Sequence, residues 1–136
     1  MLKLLKFSTL LVLMAGCATT PVPLSEAAPV PAERQFLFAS PVGGTAPIVI
    51  TRDVGMLGAG CATRVTVDGK LAALVRSGEK LILNIPSGTV VLGAEPDGVC
   101  GGGLVEIEAK PQGIEPTLFR IAAEEGGIRL YRTAKR

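Results

Sequence analysis

Turn-forming residues divide most of this sequence into short apolar runs, and that division limits the folds open to the chain. Glycine (17) and proline (10) together make up about a fifth of the 136 residues. Such a content works against an all-helical fold, because these two residues are the least favourable in a helix interior. A chain of this length is enough for one domain and too short for two ordinary ones.

From Phe36 onward, the apolar runs have the length and alternation of β-strands. Ile48–Thr51 is β-branched throughout, and the alternation over 81–85 places Leu81, Leu83 and Ile85 on one strand face. Seven or eight strands at roughly ten-residue spacing are typical of a sandwich or barrel. We therefore predict an all-β fold, a small β-sandwich of short antiparallel strands. The predicted strands are residues 48–51, 64–67, 71–75, 81–85, 89–94, 104–108, 119–122 and 128–131.

Two hairpins are predicted. Asp68-Gly69 lies between two apolar runs and is a strong signal for a tight turn, because both central residues need a positive φ. Glu124–Gly127 separates the last two runs and predicts a second hairpin. Thr117–Glu125 is also compatible with a short helix, since Pro116 precedes it and Gly126 follows it; we favour a strand.

The first residues have the order of a bacterial export signal. Lys3 and Lys6 make a positive end, residues 7–14 are apolar and uncharged, and Ala15-Gly16-Cys17 follows at once. The apolar run is too short to span a bilayer as a helix. We favour a signal peptide over residues 1–16; the alternative is an apolar helix packed on the domain.

Leu13-Met14-Ala15-Gly16-Cys17 resembles the lipobox of bacterial lipoproteins, with Met14 where leucine is more usual. The resemblance implies that Cys17 becomes the first residue of the mature protein and carries a diacylglycerol and an N-acyl chain. Several acyl chains give stable membrane anchoring. Ala18 follows the cysteine, in place of the aspartate that favours inner-membrane retention in enteric bacteria. The implied location is therefore the outer membrane.

Residues 17–35 are predicted to be a linker, and residues 36–136 the folded domain. Ala18–Gln35 contains four prolines and has neither helical nor strand periodicity. Such a segment is expected to be an extended spacer, with recognition of a proline motif as the alternative. At about 3.1 Å per residue, it would hold a domain up to roughly 55 Å from the bilayer.

Three turn stretches resemble those of PEGA-like domains and related small β-sandwich lipoproteins. They are Val65–Lys70, Gly78–Lys80 and Ile85–Gly88, and the similarity extends over Val65–Ala94. The Pro-Glu-Gly-Ala stretch for which that family is named is absent. The resemblance implies a β-sandwich and indicates no activity.

Cys61 and Cys100 each lie in a glycine-rich loop and are predicted to form a disulfide, as is usual for two cysteines of an exported domain. Closing this loop of about 40 residues stabilises the fold by roughly 4 kcal/mol in the chain-entropy model. The alternatives are free or redox-active thiols and a metal site. Two thiolates without histidine make a poor zinc site, and no Cys-x-x-Cys motif is present.

Charge and composition argue against several classes of function. Cys17–Arg136 carries 12 cationic and 12 anionic side chains, and the whole chain has five aromatic residues, so the footprint of a nucleic-acid binder is missing. Histidine is absent, which removes the commonest general base and metal ligand. We expect no nucleic-acid partner, no cofactor, no metal site and no enzymatic activity.

Other features have structural explanations. Gly55–Gly60 lacks a following Gly-Lys-Ser/Thr and an amphipathic helix, so we interpret it as a loop near Cys61 and not as a nucleotide site. Glu106 and Glu108 are expected on the solvated face of a strand and not to be catalytic. Three serines have no base beside them in the sequence (Ser40, Ser77 and Ser87). The basic C-terminus is expected to be solvated, with contact to anionic lipid or glycan as the alternative (Arg129, Arg132, Lys135 and Arg136).

Two functions fit this sequence best. The first is a non-enzymatic outer-membrane lipoprotein whose β-sandwich faces the periplasm or the cell surface and docks another envelope protein. The second is a module that binds a small ligand or glycan, or that inhibits a hydrolase, through the loops around Cys61 and Cys100. A pocket between those loops would favour the second function. A flat apolar patch or an exposed sheet edge would favour the first.

Overall fold

The protein is described by a computed structural model that covers residues 18–134. Within these residues the chain forms nine β-strands and a single 3-10 turn, with no α-helix, which confirms the predicted all-β sandwich. The strands are β1 (Ala28–Pro29), β2 (Thr45–Arg52), β3 (Thr63–Val67), β4 (Lys70–Val75), β5 (Glu79–Pro86), β6 (Val90–Pro96), β7 (Val105–Ala109), β8 (Thr117–Glu124) and β9 (Gly127–Thr133). The 3-10 turn spans Ala32–Arg34.

The strands form two sheets. One has five strands in the order β1-β5-β2-β8-β9, and the other has four in the order β4-β3-β6-β7. Most neighbouring strands are antiparallel, as predicted, but β1 pairs with β5 and β2 pairs with β8 in parallel. The central strand β2 therefore lies between an antiparallel and a parallel neighbour.

The core lies between the sheets and follows the period of two that the sequence shows. Leu81, Leu83 and Ile85 are fully buried on one face of β5, as predicted. Ile48 and Ile50 of β2 are also fully buried, because even-numbered residues of this strand point inward. The core also includes Val65, Val75, Leu92, Phe119 and Ile121.

Both predicted hairpins are present. Asp68 (φ 48°) and Gly69 (φ 78°) make the tight turn between β3 and β4. The Asp68 carboxylate accepts a hydrogen bond from the Val91 backbone N–H at 2.8 Å, so this turn is also fixed to β6. Thr117–Glu124 is a strand and not a helix, and it forms the second hairpin with β9.

Residues 18–35 lie against the domain instead of standing clear of it as a spacer. Thr20 forms an isolated antiparallel bridge with Val54, and Ala28–Pro29 adds a short edge strand to β5. Ala27 and Val30 are buried, at 5% and 8% exposure. The segment is extended, as expected, but it docks because its backbone groups and small apolar side chains find partners on the five-stranded sheet and, at Gln35, on β4 of the other sheet.

Candidate functional site at the disulfide end

One end of the sandwich collects the features that sequence analysis singled out, and we call it the disulfide end. It consists of the β2–β3 connection (residues 53–62), the β6–β7 connection (97–104) and the β8–β9 turn (125–126). Cys61 and Cys100 are joined there by a disulfide, with their Cα atoms 6.1 Å apart. The predicted bridge is therefore present, and it ties the two glycine-rich loops together.

A buried guanidinium organises the first of these loops. Arg52 is only 4% exposed, and it donates hydrogen bonds to the backbone carbonyls of Gly58 and Cys61, each at 2.6 Å. It also donates to the Val75 carbonyl at 2.9 Å. Burial lowers the pKa of Arg52, with the Glu79 carboxylate opposing that shift. The loop before Cys61 is thus held in place by a charge inside the protein.

A second polar cluster fixes the N-terminal segment to the same end. The Asp53 carboxylate, 1% exposed, accepts two hydrogen bonds from Arg120, from Nε at 2.7 Å and from Nη2 at 2.8 Å. The Thr19 hydroxyl donates to Asp53 at 3.1 Å and accepts from the Ala123 N–H at 2.9 Å. The hydrogen bonds to Asp53 raise the pKa of Arg120, whose guanidinium also lies 5.6 Å from the Tyr131 ring centre.

Sequence analysis missed both clusters. None of Arg52, Asp53 and Arg120 was singled out from the sequence. One signal was available, because the inward alternation of Ala46, Ile48 and Ile50 continues to Arg52. The partners of Asp53 come from residues far along the chain, so no local pattern could identify them.

A cleft of about 500 Å³ lies between the two glycine-rich loops and the β8–β9 turn. Its size is within the range of small-molecule sites. Gly102 and Gly127 approach closely on its wall, because a Cβ on Gly102 would lie 3.1 Å from the Gly127 Cα. The lining includes the disulfide, Leu57, Pro96, Ile128 and the acidic pair Glu124 and Glu125. Such a lining offers backbone groups and apolar contacts to a ligand.

A second cleft, of about 390 Å³, lies on the outer face of the five-stranded sheet, under the N-terminal segment. Pro21, Pro23 and Leu24 form one side, and Val49 and Leu118 form its floor. The Lys80 ammonium group donates to the Leu24 carbonyl at 3.0 Å. The segment therefore crosses the sheet with space beneath it and is fixed at both ends of the crossing.

The remaining candidate residues are dispersed over the fold. Glu106 and Glu108 are exposed on β7, and Glu108 forms an ion pair with Lys110 at 3.2 Å. The Ser77 hydroxyl donates to the Asp53 carbonyl at 3.0 Å. Arg129 forms an ion pair with Glu124 at 3.3 Å. The remaining candidates on the described part of the chain are Ser40, Ser87 and Arg132, whereas the lipidation candidate Cys17, the signal peptide and the last two residues lie outside it.

Residues 18–134 contain no group of three or more His, Cys, Asp or Glu side chains able to hold a metal ion. In the same residues, no helix has the length and apolar character needed to cross a membrane.

Comparison with known proteins adds no relative: no family profile, no curated protein and no solved structure matches this chain. The lipobox and PEGA-like resemblances therefore stay predictions from the sequence.

Proposed function

We propose that this protein is a non-enzymatic lipoprotein of the bacterial outer membrane, anchored through Cys17 and docking another envelope protein with its β-sandwich. The observation that carries the proposal is the Cys61–Cys100 disulfide. Disulfides are typical of exported proteins, and this bridge uses two of the chain's three cysteines. The third is Cys17, at the end of the lipobox-like sequence.

Outer strands support the docking part of the proposal. β9 is the last strand of the five-stranded sheet, and β7 is the last strand of the other sheet. An outer strand presents backbone groups with which another chain can pair. On β9 the side chains of Arg129, Tyr131 and Arg132 are exposed, and Tyr131 is 39% exposed. A partner that adds a strand along β9 would meet Arg132, Tyr131 and the ion pair of Arg129 with Glu124.

The anchor is tested by Cys17→Ser. We expect this variant to lose metabolic labelling with palmitate and to leave the membrane fraction, because no thiol is then available for the lipid. The double variant Cys61→Ser/Cys100→Ser is the matched control and should keep its label. Labelling that persists in Cys17→Ser would contradict the proposal.

The docking surface is tested by photo-crosslinking in intact cells followed by mass spectrometry. A photoreactive residue at Arg132, on β9, should give a defined protein adduct. The same residue at Gln112, in the exposed connection between β7 and β8, is the control. The proposed surface is refuted if position 132 gives no adduct or gives the same adducts as position 112.

The cleft at the disulfide end favours a second candidate, a module that binds a small ligand or glycan. Gly101→Leu should fill this cleft at little cost to the fold, because no atom lies within 4 Å of a Cβ at this position and its φ is not positive. Gly43→Leu is a matched control away from the cleft, with the same free space. Peptidoglycan fragments that bind the wild type and Gly43→Leu but not Gly101→Leu, by NMR titration, would support this candidate.

A further inference from the structure

The N-terminal segment joins the domain almost immediately after the proposed anchor. The Thr20 N–H donates to the Val54 carbonyl at 2.8 Å, and the Val54 N–H donates back to Thr20 at 3.0 Å. Thr19 contacts Asp53 and Ala123. Cys17 precedes Thr19 by two residues, a span of at most about 7 Å in a fully extended chain. The second and third residues after the proposed anchor are therefore held against the backbone of the domain.

The strand order identifies which end of the sandwich this is. β2 ends at Arg52 and β8 ends at Glu124, and both lead into the disulfide end. The C-terminal part of β9 lies at the opposite end, because Thr133 pairs with Leu118 near the start of β8. Thr19 and Thr20 therefore lie at the disulfide end, and Thr133 lies at the opposite end.

The loops near Thr19 expose apolar side chains. Met56, in the β2–β3 connection, is 97% exposed, and Val99, beside Cys100, is fully exposed. A Cβ on Gly55, the neighbour of Met56, would lie 3.1 Å from the Thr19 side chain, so this loop and the N-terminal segment are in contact. The disulfide holds both loops together. An apolar tip thus lies beside the point where a lipid-bearing chain would arrive.

Charge around this tip is mixed. Arg52 and Asp53 are buried, and their charges are directed into the protein. Arg76, Asp97 and Glu125 lie in the connections at this end, one basic and two acidic. The tip therefore lacks the cluster of cations that recognises anionic lipids. Contact with a membrane would depend on apolar side chains at the level of the headgroups.

We propose that the disulfide end of the sandwich rests on the bilayer, with Met56 and Val99 in the headgroup region and β9 leading away from the membrane. This inference rests on the proposed lipid anchor at Cys17. Exposed apolar residues alone do not select this end, because Val42 and Ile114 at the opposite end are also exposed. The disulfide end is selected because Thr19, two residues after Cys17, is bound there.

The test uses the full acylated protein, purified from membranes without reductant and reconstituted into phosphatidylcholine and phosphatidylethanolamine vesicles. Met56→Cys and Val99→Cys place the polarity-sensitive fluorophore NBD at the tip. Ile114→Cys and Val42→Cys are matched apolar controls at the opposite end. Phospholipid that carries a doxyl quencher near the headgroup should quench the probes at 56 and 99 at least about twofold more strongly than those at 114 and 42.

The outcomes separate this inference from the anchor. The intact mass of each preparation shows whether Cys17 carries its acyl chains, and an unacylated chain would overturn both proposals. An acylated protein with equal quenching at both ends, or with stronger quenching at 114 and 42, would overturn only the orientation. In that case the anchor stands and the domain is held in another way.

Discussion

The two sheets of the sandwich differ in how much of their outer faces is covered. The four-stranded sheet has one face in the core, and its outer face carries exposed acids such as Glu106 and Glu108. The five-stranded sheet is covered in part on its outer face as well, although Ile82 on β5 remains 44% exposed. Its outer residues Val49 and Leu118 are only 9% and 6% exposed, because the N-terminal segment lies across them.

This difference agrees with the position of the parallel pair β2–β8. Parallel sheets are usually buried on both faces, whereas an antiparallel sheet can have one face in water. The parallel pair β2–β8 lies under the covered part of the outer face, whereas the two residues of β1, which pairs in parallel with β5, are exposed. In larger proteins helices supply the second layer, but here a segment of fewer than twenty residues, 18–35, covers part of that face. The contacts of residues 18–35 with the sheet should therefore contribute more to the free energy of unfolding than the short length of the segment suggests.

The largest expected effect comes from the polar cluster under this segment. Asp53→Ala leaves Arg120 without its carboxylate partner and removes a hydrogen bond to Thr19. Loss of one partner from a fully buried pair usually costs about 3–5 kcal/mol in the free energy of unfolding, and we expect a loss near the lower end because Arg120 is 29% exposed. Urea denaturation followed by circular dichroism measures this loss.

Asp97→Ala is the matched control at the other sheet. Asp97 lies 3.7 Å from Arg64, and both side chains are more than a third exposed. Exposed ion pairs contribute about 0–1 kcal/mol, so this variant should be close to the wild type. If both variants lowered the free energy of unfolding by the same amount, the covering of the five-stranded sheet by residues 18–35 would have no measurable effect on stability.

The disulfide is expected to have the next largest effect. Cys61→Ser/Cys100→Ser should lower the free energy of unfolding by about 2–5 kcal/mol, because the unfolded chain is no longer constrained. Both sheets should still unfold in one transition, since they share one core. Maleimide should not label these cysteines in the folded protein without reductant. Two freely labelled thiols in protein isolated from the periplasm would refute the bridge.

Substitution of a glycine with positive φ in a hairpin turn should lower the free energy of unfolding by a smaller amount, similar in the two sheets. Gly69→Val in the β3–β4 turn should cost about 1–3 kcal/mol, because its φ of 78° strains a β-branched residue although the space around it is free. Gly126→Val, at φ 93° in the β8–β9 turn, should cost a similar amount. Lys70→Ala should change the melting temperature little. A Gly69→Val variant that melts with the wild type would rule out this explanation.

The smallest effect concerns pH and the ion pair that fixes the 3-10 turn to β5. Burial raises the pKa of Glu79, but its hydrogen bonds from Arg34 and from the Arg76 N–H bring the pKa below its ordinary value of 4.5. A carboxyl whose pKa is lower in the folded state stabilises the fold above its unfolded pKa, and this contribution is lost as the pH falls.

Melting temperatures between about pH 5 and pH 3 test this linkage. Glu79→Gln should reduce the decrease in melting temperature over that range, because the titrating group is gone. Glu108→Gln, at an exposed position in the other sheet, should leave the decrease unchanged. If the melting temperature of Glu79→Gln fell with pH as steeply as that of the wild type, other carboxylates would be responsible for the loss of stability in acid.

Much of the sandwich could be predicted from the sequence because its strands and hairpins are local. The alternation of Leu81, Leu83 and Ile85 depends only on the period of a strand, and the Asp68-Gly69 turn depends only on φ. The disulfide was predictable because two cysteines in glycine-rich loops leave few alternatives. These features require no knowledge of which strands become neighbours.

The remaining features depend on contacts between distant parts of the chain. The parallel pairing of β2 with β8 and the hydrogen bonds between Asp53 and Arg120 have no local signature. The proline-rich segment around Thr19 has the composition of a free spacer, and only the folded sheet gives its backbone a partner. The sequence therefore predicted the strands. It predicted neither the Asp53–Arg120 cluster nor the covering of the five-stranded sheet by residues 18–35.

The contact between Thr19 and Ala123 also has a consequence for the order of folding. These residues are 104 positions apart, so this contact can form only after β8, near the end of the chain, has been synthesised. The hairpins β3–β4 and β8–β9 involve short loops and should form early, whereas pairing between distant segments is slow. The five-stranded sheet therefore closes last. Until then Ala27 and Val30 stay exposed, and the edge of β5 is open to pairing with chaperones or with neighbouring chains.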